Sequence, residues 1–200
     1  MIVRVVIVMI LMSLSSFSYG DGSGRPEKKN IDAKKESAMK IHSPAFEEEQ
    51  SIPIRFTCDS TDISPELRFE EVPPETRSLA LICDDPDAPA GTWVHWVIFN
   101  IPVGVDTLPE NVSPEIDPDF GGDSTVTAVN GKNDFGRFGY GGPCPPPGPA
   151  HRYYFKLYAL DGELEFPAEE IKKGITKEAL LKKMEGHILA ETSLMGKYKR

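Results

Sequence analysis

The 200-residue sequence lacks the short signatures that most recognisable chemistry rests on. It contains no C-x-x-C, which excludes a zinc ribbon and a thioredoxin-type centre. It contains no H-E-x-x-H or similar close ligand pair and no G-x-S-x-G nucleophile elbow. Positive charge is also scarce: 22 Lys and Arg stand against 31 Asp and Glu, a net charge of −9. Such a surface repels nucleic acid and anionic lipid, so neither is an expected partner. Cysteine is limited to Cys58, Cys83 and Cys144, far apart in the chain. In an oxidising compartment one pair can bridge and leave one free. Equally, all three can be buried thiols acting as small apolar groups.

What the chain has is 17 glycines and 18 prolines, a composition of turns and loops rather than of a helical bundle. Met1 to Leu14 is an apolar run with one early charge, Arg4, and small residues follow at Ser18 and Gly20. That is the layout of a secretory signal peptide over residues 1–20, and it points to a secreted or periplasmic protein. The alternative is an uncleaved anchor, but the run is shorter than the roughly 20 residues that span a bilayer. Loss of residues 1–20 removes Arg4 and no acid, which takes the charge to −10. Residues 21–38 are charged and nearly free of large apolar side chains. They read as a solvated tether, unable to offset their ordering entropy by burial. Residues 39–200 are left as the folded domain.

Three segments of that domain read as strands. Residues 78–85 are an apolar run ending in acids, and 93–102 and 151–160 are rich in β-branched and aromatic residues. Strict alternation puts Trp93, His95, Val97 and Phe99 on one face of the second, and Val94, Trp96 and Ile98 on the other. Residues 39–46 and 66–73 are weaker strands. Thr176 caps a helix in which Leu180, Leu181, Met184 and Ile188 form an apolar stripe. Strands outnumber helices, so the expected fold is mainly β, a sandwich with a few peripheral helices.

Polar residues interrupt the apolar pattern at strand ends. Asp85 and Asp87 leave the first strand in a turn stiffened by Pro86 and Pro89. His95 sits in an apolar strand. His151 and Tyr153 share a face directly after a loop with five prolines between Pro143 and Pro149. Taken singly, these are an acidic turn, a core histidine and a stiff loop. Taken together they suggest one small cavity, lined by imidazole and phenol donors that suit a phosphate-like or carboxylate-like anion. In that reading the aspartates orient and charge the histidines. A zinc site built on Asp85 and His95, and a hydrolase built on Cys144 with His151, are the competing readings. The first lacks a ligand motif; the second lacks an activating context. Asp134-Phe135-Gly136 has none of the accompanying kinase motifs and reads as a loop.

The blocks "DDPDAPAGTWVHWVIFNIP" and "NDFGRFGYGGPCPPPGPAHRYYFKLYALD" closely resemble the two signature blocks of the phosphatidylethanolamine-binding protein family. The second block and the ending "LLKKMEGHILAETSLMGKYKR" are similar to its bacterial and archaeal branch, often labelled Raf kinase inhibitor-like. The resemblance covers residues 38–200. It implies a β-sandwich with an anion pocket at one end and a cis peptide at the Asp-Pro turn. It also implies a ligand site at Asp85, Asp87, His95, Pro145, Pro146, His151 and Tyr153, with Pro145 and Pro146 as a wall. The ligand implied is a small anion or a phospholipid head group, with no cofactor, no metal and no catalytic residue. The chain departs from the pattern in one extra residue between Gly148 and His151. The pocket-bordering C-terminal helix of animal members is not evident, and Tyr198 is the candidate for its aromatic contribution. A signal peptide separates this chain from cytosolic kinase regulators. An inhibitor or signalling partner of an extracytoplasmic protease or kinase is the alternative function. The oligomeric state is open, a homodimer included, and hydrolysis with His151 or His95 as base ranks last for want of a nucleophile.

Overall fold

The computed structural model describes residues 38–118 and 128–200. The segments read as signal peptide and tether, residues 1–37, lie outside the described residues; only Ala38, the tether's last residue, is inside them. The three strong strands form where the sequence places them: β3 at Ser78–Asp85, β4 at Trp93–Pro102 and β7 at His151–Leu160. Two weaker ones are shorter than their apolar patterns suggest, β1 at Lys40–His42 and β2 at Leu67–Glu70. Short strands β5 (Thr107–Leu108) and β6 (Val129–Asn130) complete the interior pairings. One sheet has the order β1-β2-β5; the other runs β6-β4-β3-β7, with the final strand β8 (Ile188–Tyr198) beside β7. All paired strands are antiparallel.

β3 lies at the centre of the larger sheet, and all eight of its residues are buried. This is why it carries no polar alternation before its acidic end: both of its faces are covered. Leu79, Leu81 and Cys83 join the core shared with the small sheet. Ala80 and Ile82 face the opposite layer, with Leu164, Ile175, Leu180 and Met184. That layer holds α1 (Ala168–Lys173) and α2 (Lys177–Met184). The Thr176 hydroxyl accepts the Ala179 N–H and caps α2. Leu180 and Met184 are fully buried, each contributing about 2 kcal/mol by removing its apolar surface from water.

Three sequence expectations are corrected. Helix α2 ends at Met184, and Ile188 is instead the first residue of β8, 41% exposed and no part of a helical stripe. Among the described residues every peptide bond is trans, so the Asp-Pro turn carries no cis bond. The faces of β4 also differ from strict alternation. Asp84 pairs with Val94 while Cys83 pairs with Trp96, which leaves His95 as an extra residue in the ladder. A second irregularity falls before Ile101, where Asn100 adopts a left-handed φ of 54°. A bulge places two residues opposite one and resets the parity of the strand. Trp96 and Ile98 therefore enter the core between the sheets, and Val94, Val97 and Phe99 face the helices.

Candidate functional site

The bulge decides where His95 goes. Its ring meets Tyr153 edge-on at 5.1 Å between centroids, so it lies on the side of β3 and β7 that carries Asp85, His151 and Tyr153. Strict alternation from Val97 would have sent it toward the helices. His95 Nδ1 lies 2.6 Å from the Gly141 carbonyl. A carbonyl can only accept, so Nδ1 carries the proton and Nε2 is left for another partner. Burial is the main cause that pushes the His95 pKa below 6.5, against the opposing pull of Gly141, Asp85 and Asp134. His95 is therefore neutral at pH 7, with a lone pair on Nε2.

Asp85 is held at both oxygens. One accepts the Asp87 N–H at 2.8 Å, a turn geometry that the prolines on either side of Asp87 reinforce. The other lies 2.7 Å from His151 Nδ1, and both side chains are nearly buried. His151 thus also presents Nε2 away from its protein partner. Tyr153, two residues on along β7, is fully buried; its hydroxyl lies near the Asp85 carboxylate but makes no well-formed hydrogen bond. Burial, followed by the Asp85 carboxylate, pushes its pKa well above the ordinary tyrosine value.

Two residues outside the seven predicted site positions complete the arrangement. Trp93 is paired with Asp85 across β3 and β4, and its indole N–H is buried with no partner. Phe135 packs edge-on against Trp93 at 5.5 Å and against His95 at 5.3 Å. A circuit closes through two kinds of link. Side-chain contacts join Asp85 to His151 and run from Tyr153 through His95 and Phe135 to Trp93. His151 and Tyr153 share one face of β7, and Trp93 pairs with Asp85 in the backbone ladder. A signal for Trp93 was present, since an indole N–H at the end of an apolar strand needs a partner that apolar neighbours cannot give. Phe135 lies in a loop and gave none.

Asp87 belongs to the rim rather than to this circuit. Its carboxylate takes the Arg152 backbone N–H and two guanidinium N–H groups at 2.7–2.9 Å. The guanidinium holds its carboxyl down at about 2, below the usual 3.8. Pro145 is buried and Pro146 exposed. The segment before them is pinned closely. Gly142 N–H donates to Asp62 at 2.6 Å, Cys58 N–H donates to the Pro143 carbonyl at 3.2 Å, and a Cys58–Cys144 disulfide ties the two segments. A Cβ on Gly142 would sit 2.4 Å from the Phe56 carbonyl oxygen, so the approach requires glycine. Cys83 is free and buried, so the three cysteines divide into one bridge and one core thiol. Tyr198 pairs with His151 in register, and its hydroxyl donates to Asp59.

A separate cavity of about 390 Å³ is lined by Asp62, Ser64, Asn111, Arg137 and Tyr140, among others; none of the seven predicted site residues reaches it. Among the described residues no group of three His, Cys, Asp or Glu side chains is placed to hold a metal ion.

The fold is a two-sheet antiparallel β-sandwich with a helical layer, and its strand ends gather two histidines, a buried acid and two partnerless donors. The model of the phosphatidylethanolamine-binding protein family matches residues 42–199, and the chain belongs to that family. It is 50% identical over 162 residues to a UPF0098 protein of Methanothermobacter thermautotrophicus, covering 81% of this chain and 99% of that one. A UPF0098 protein of Pyrococcus horikoshii is 38% identical over 200 residues, 100% of this chain and 91% of its own length. Among solved structures, a phosphatidylethanolamine-binding protein homologue from Chlamydia trachomatis matches with a TM-score of 0.69 and 40% identity, over 82% of this chain and 99% of that one. E. coli YbcL, described as a member of the mammalian family, matches with a TM-score of 0.69 and 29% identity, over 81% and 98%.

Proposed function

We propose that the protein binds a small oxyanion, phosphate-like or carboxylate-like, free or as the head group of a phospholipid, at the circuit around His95 and His151. The carrying observation is the pair of buried donors without partners, Tyr153 Oη and Trp93 Nε1. Leaving such donors unpaired costs about 1–3 kcal/mol each, a cost that a partner from outside the chain would offset. Thr76 Oγ1, also unpaired, stands apart from this group. The Nε2 atoms of His95 and His151 add two further contacts, and the Asp85 bond fixes the His151 ring. Pro145 and Pro146 serve as a wall that loses little entropy on binding. Asp87 holds the rim by clasping Arg152.

The test is titration of inorganic phosphate, acetate and phosphoethanolamine into the protein while the histidine ring signals are followed. Movement of His95 and His151 that is lost in His151→Ala supports the reading; silence with all three ligands refutes it. Co-sedimentation with phosphatidylethanolamine vesicles separates a lipid head group from a free anion. We place the protein outside the cytoplasm. The layout of residues 1–20 and the Cys58–Cys144 bridge both suit an oxidising compartment. The intact mass of protein recovered from its native host reports whether residues 1–20 are removed.

A further inference from the structure

The proline wall is held unequally along its length. Upstream of Cys144 every step has an anchor. The Tyr140 hydroxyl donates to the Phe56 carbonyl at 2.8 Å, Gly141 N–H donates to the His95 carbonyl at 2.8 Å, and Gly142 is held by Asp62. Downstream, Pro145 to Ala150 make no hydrogen bond to the described residues, and the next fixed point is His151 in β7. The disulfide is thus the last bonded anchor before six residues of wall, of which only Pro145 is buried. Cys144 is exposed and Cys58 half-buried, so a reductant has access to the bridge.

We propose that Cys58–Cys144 is a thiol-exchange site that sets the affinity of the neighbouring anion site, with a dithiol reductant as its reaction partner. The inference rests on the anion reading above. A thiolate of the dithiol attacks the exposed Cys144 sulfur, and Cys58 leaves as a thiolate that takes up a proton. The second thiol of the reductant then displaces Cys144 and closes its own disulfide. Two electrons pass to the protein, and two protons end on its cysteines. Reduction frees the wall at Pro145 while the hydrogen bonds upstream still hold Gly141 and Gly142. The bound anion loses one side of its enclosure, and the wall must be ordered anew on each binding event.

The experiment measures sulfate affinity of the full chain by calorimetry, oxidised, after treatment with dithiothreitol, and after reoxidation. The expected result is about tenfold weaker binding by the reduced protein with the aromatic bands of the near-ultraviolet circular dichroism retained, reversed on reoxidation. The double variant Cys58→Ser/Cys144→Ser should match the reduced protein and ignore the reductant. Equal affinity in both redox states overturns the switch and leaves the anion reading standing. Absence of binding of sulfate, phosphate, acetate and phosphoethanolamine alike by the oxidised protein overturns both. Loss of the aromatic bands on reduction also overturns the switch, because the bridge is then a staple of the whole fold.

Discussion

Anion binding should consume a proton, and His95 is where it goes. In the free protein the His95 ring is neutral at pH 7, because burial pushes its pKa below 6.5. Its one proton is committed to the Gly141 carbonyl through Nδ1. Nε2 then offers a lone pair, which repels an oxyanion; protonation turns it into a charged donor worth about 1.5–3 kcal/mol. Uptake approaches one proton per ligand above the free pKa. Affinity falls up to tenfold per pH unit there, or about 1.4 kcal/mol. Sulfate is the ligand to use, since its own charge is constant from pH 5 to 8. Calorimetry in buffers of different ionisation enthalpy gives the proton count directly. His95→Gln should bind more weakly with a flat pH profile. A wild-type affinity that does not change between pH 6 and 8 refutes the reasoning. So does a slope that survives in His95→Gln and disappears in His151→Gln. The same group sets a stability trend in the free protein. Below pH 6.5 the unfolded chain takes up a proton that the folded ring resists, so stability falls with pH, and sulfate should reverse the fall.

Two further substitutions separate binding from folding. Tyr153→Phe removes a buried hydroxyl that makes no well-formed hydrogen bond within the protein; thermal melts should show stability within about 1 kcal/mol of wild type, while sulfate affinity drops about 5- to 10-fold. Asp87→Asn breaks the Arg152 clasp. Because the Asp87 carboxyl sits at about 2 rather than 3.8, its stabilising effect is present above pH 4 and lost as pH falls through about 2. Denaturant unfolding from pH 2 to 4 should therefore show a flatter acid slope in the variant, the exposed latch making the change small.

β3 and β4 could be read from the sequence because burial on both faces writes a nearly continuous apolar run, and β7 because its alternate buried positions are aromatic or apolar; all three begin and end where the sequence places them. The convergence of Asp85, His95, His151 and Tyr153 could be anticipated from strand ends and the family-like motifs. β8 could not: "ILAETSLMGKY" mixes small, polar and apolar residues, and only three of its eleven residues are buried. Its stability comes from pairing with β7 along its whole length, which no local pattern records. The bulge at His95 was equally hidden, since an extra residue exists only relative to the partner strand. Phe135 and the Cys58–Cys144 pairing arise from loops meeting across the fold, and spacing along the chain says nothing about such meetings.

Asp84 and Asp85 are neighbours in sequence that point through opposite sides of one sheet. Asp85 holds His151, while the fully buried Asp84 is gripped by Lys156 at 2.8 Å and by Lys177, the first residue of α2, at 2.5 Å. The helical layer therefore has a grip on the very turn that aims the acid toward its imidazole. In a saturation scan, Lys177 would look like an ordinary solvent-side lysine by position and behave like an interior residue by phenotype. Tolerance maps of this domain will run along the two backs of that strand, not with distance from the ligand.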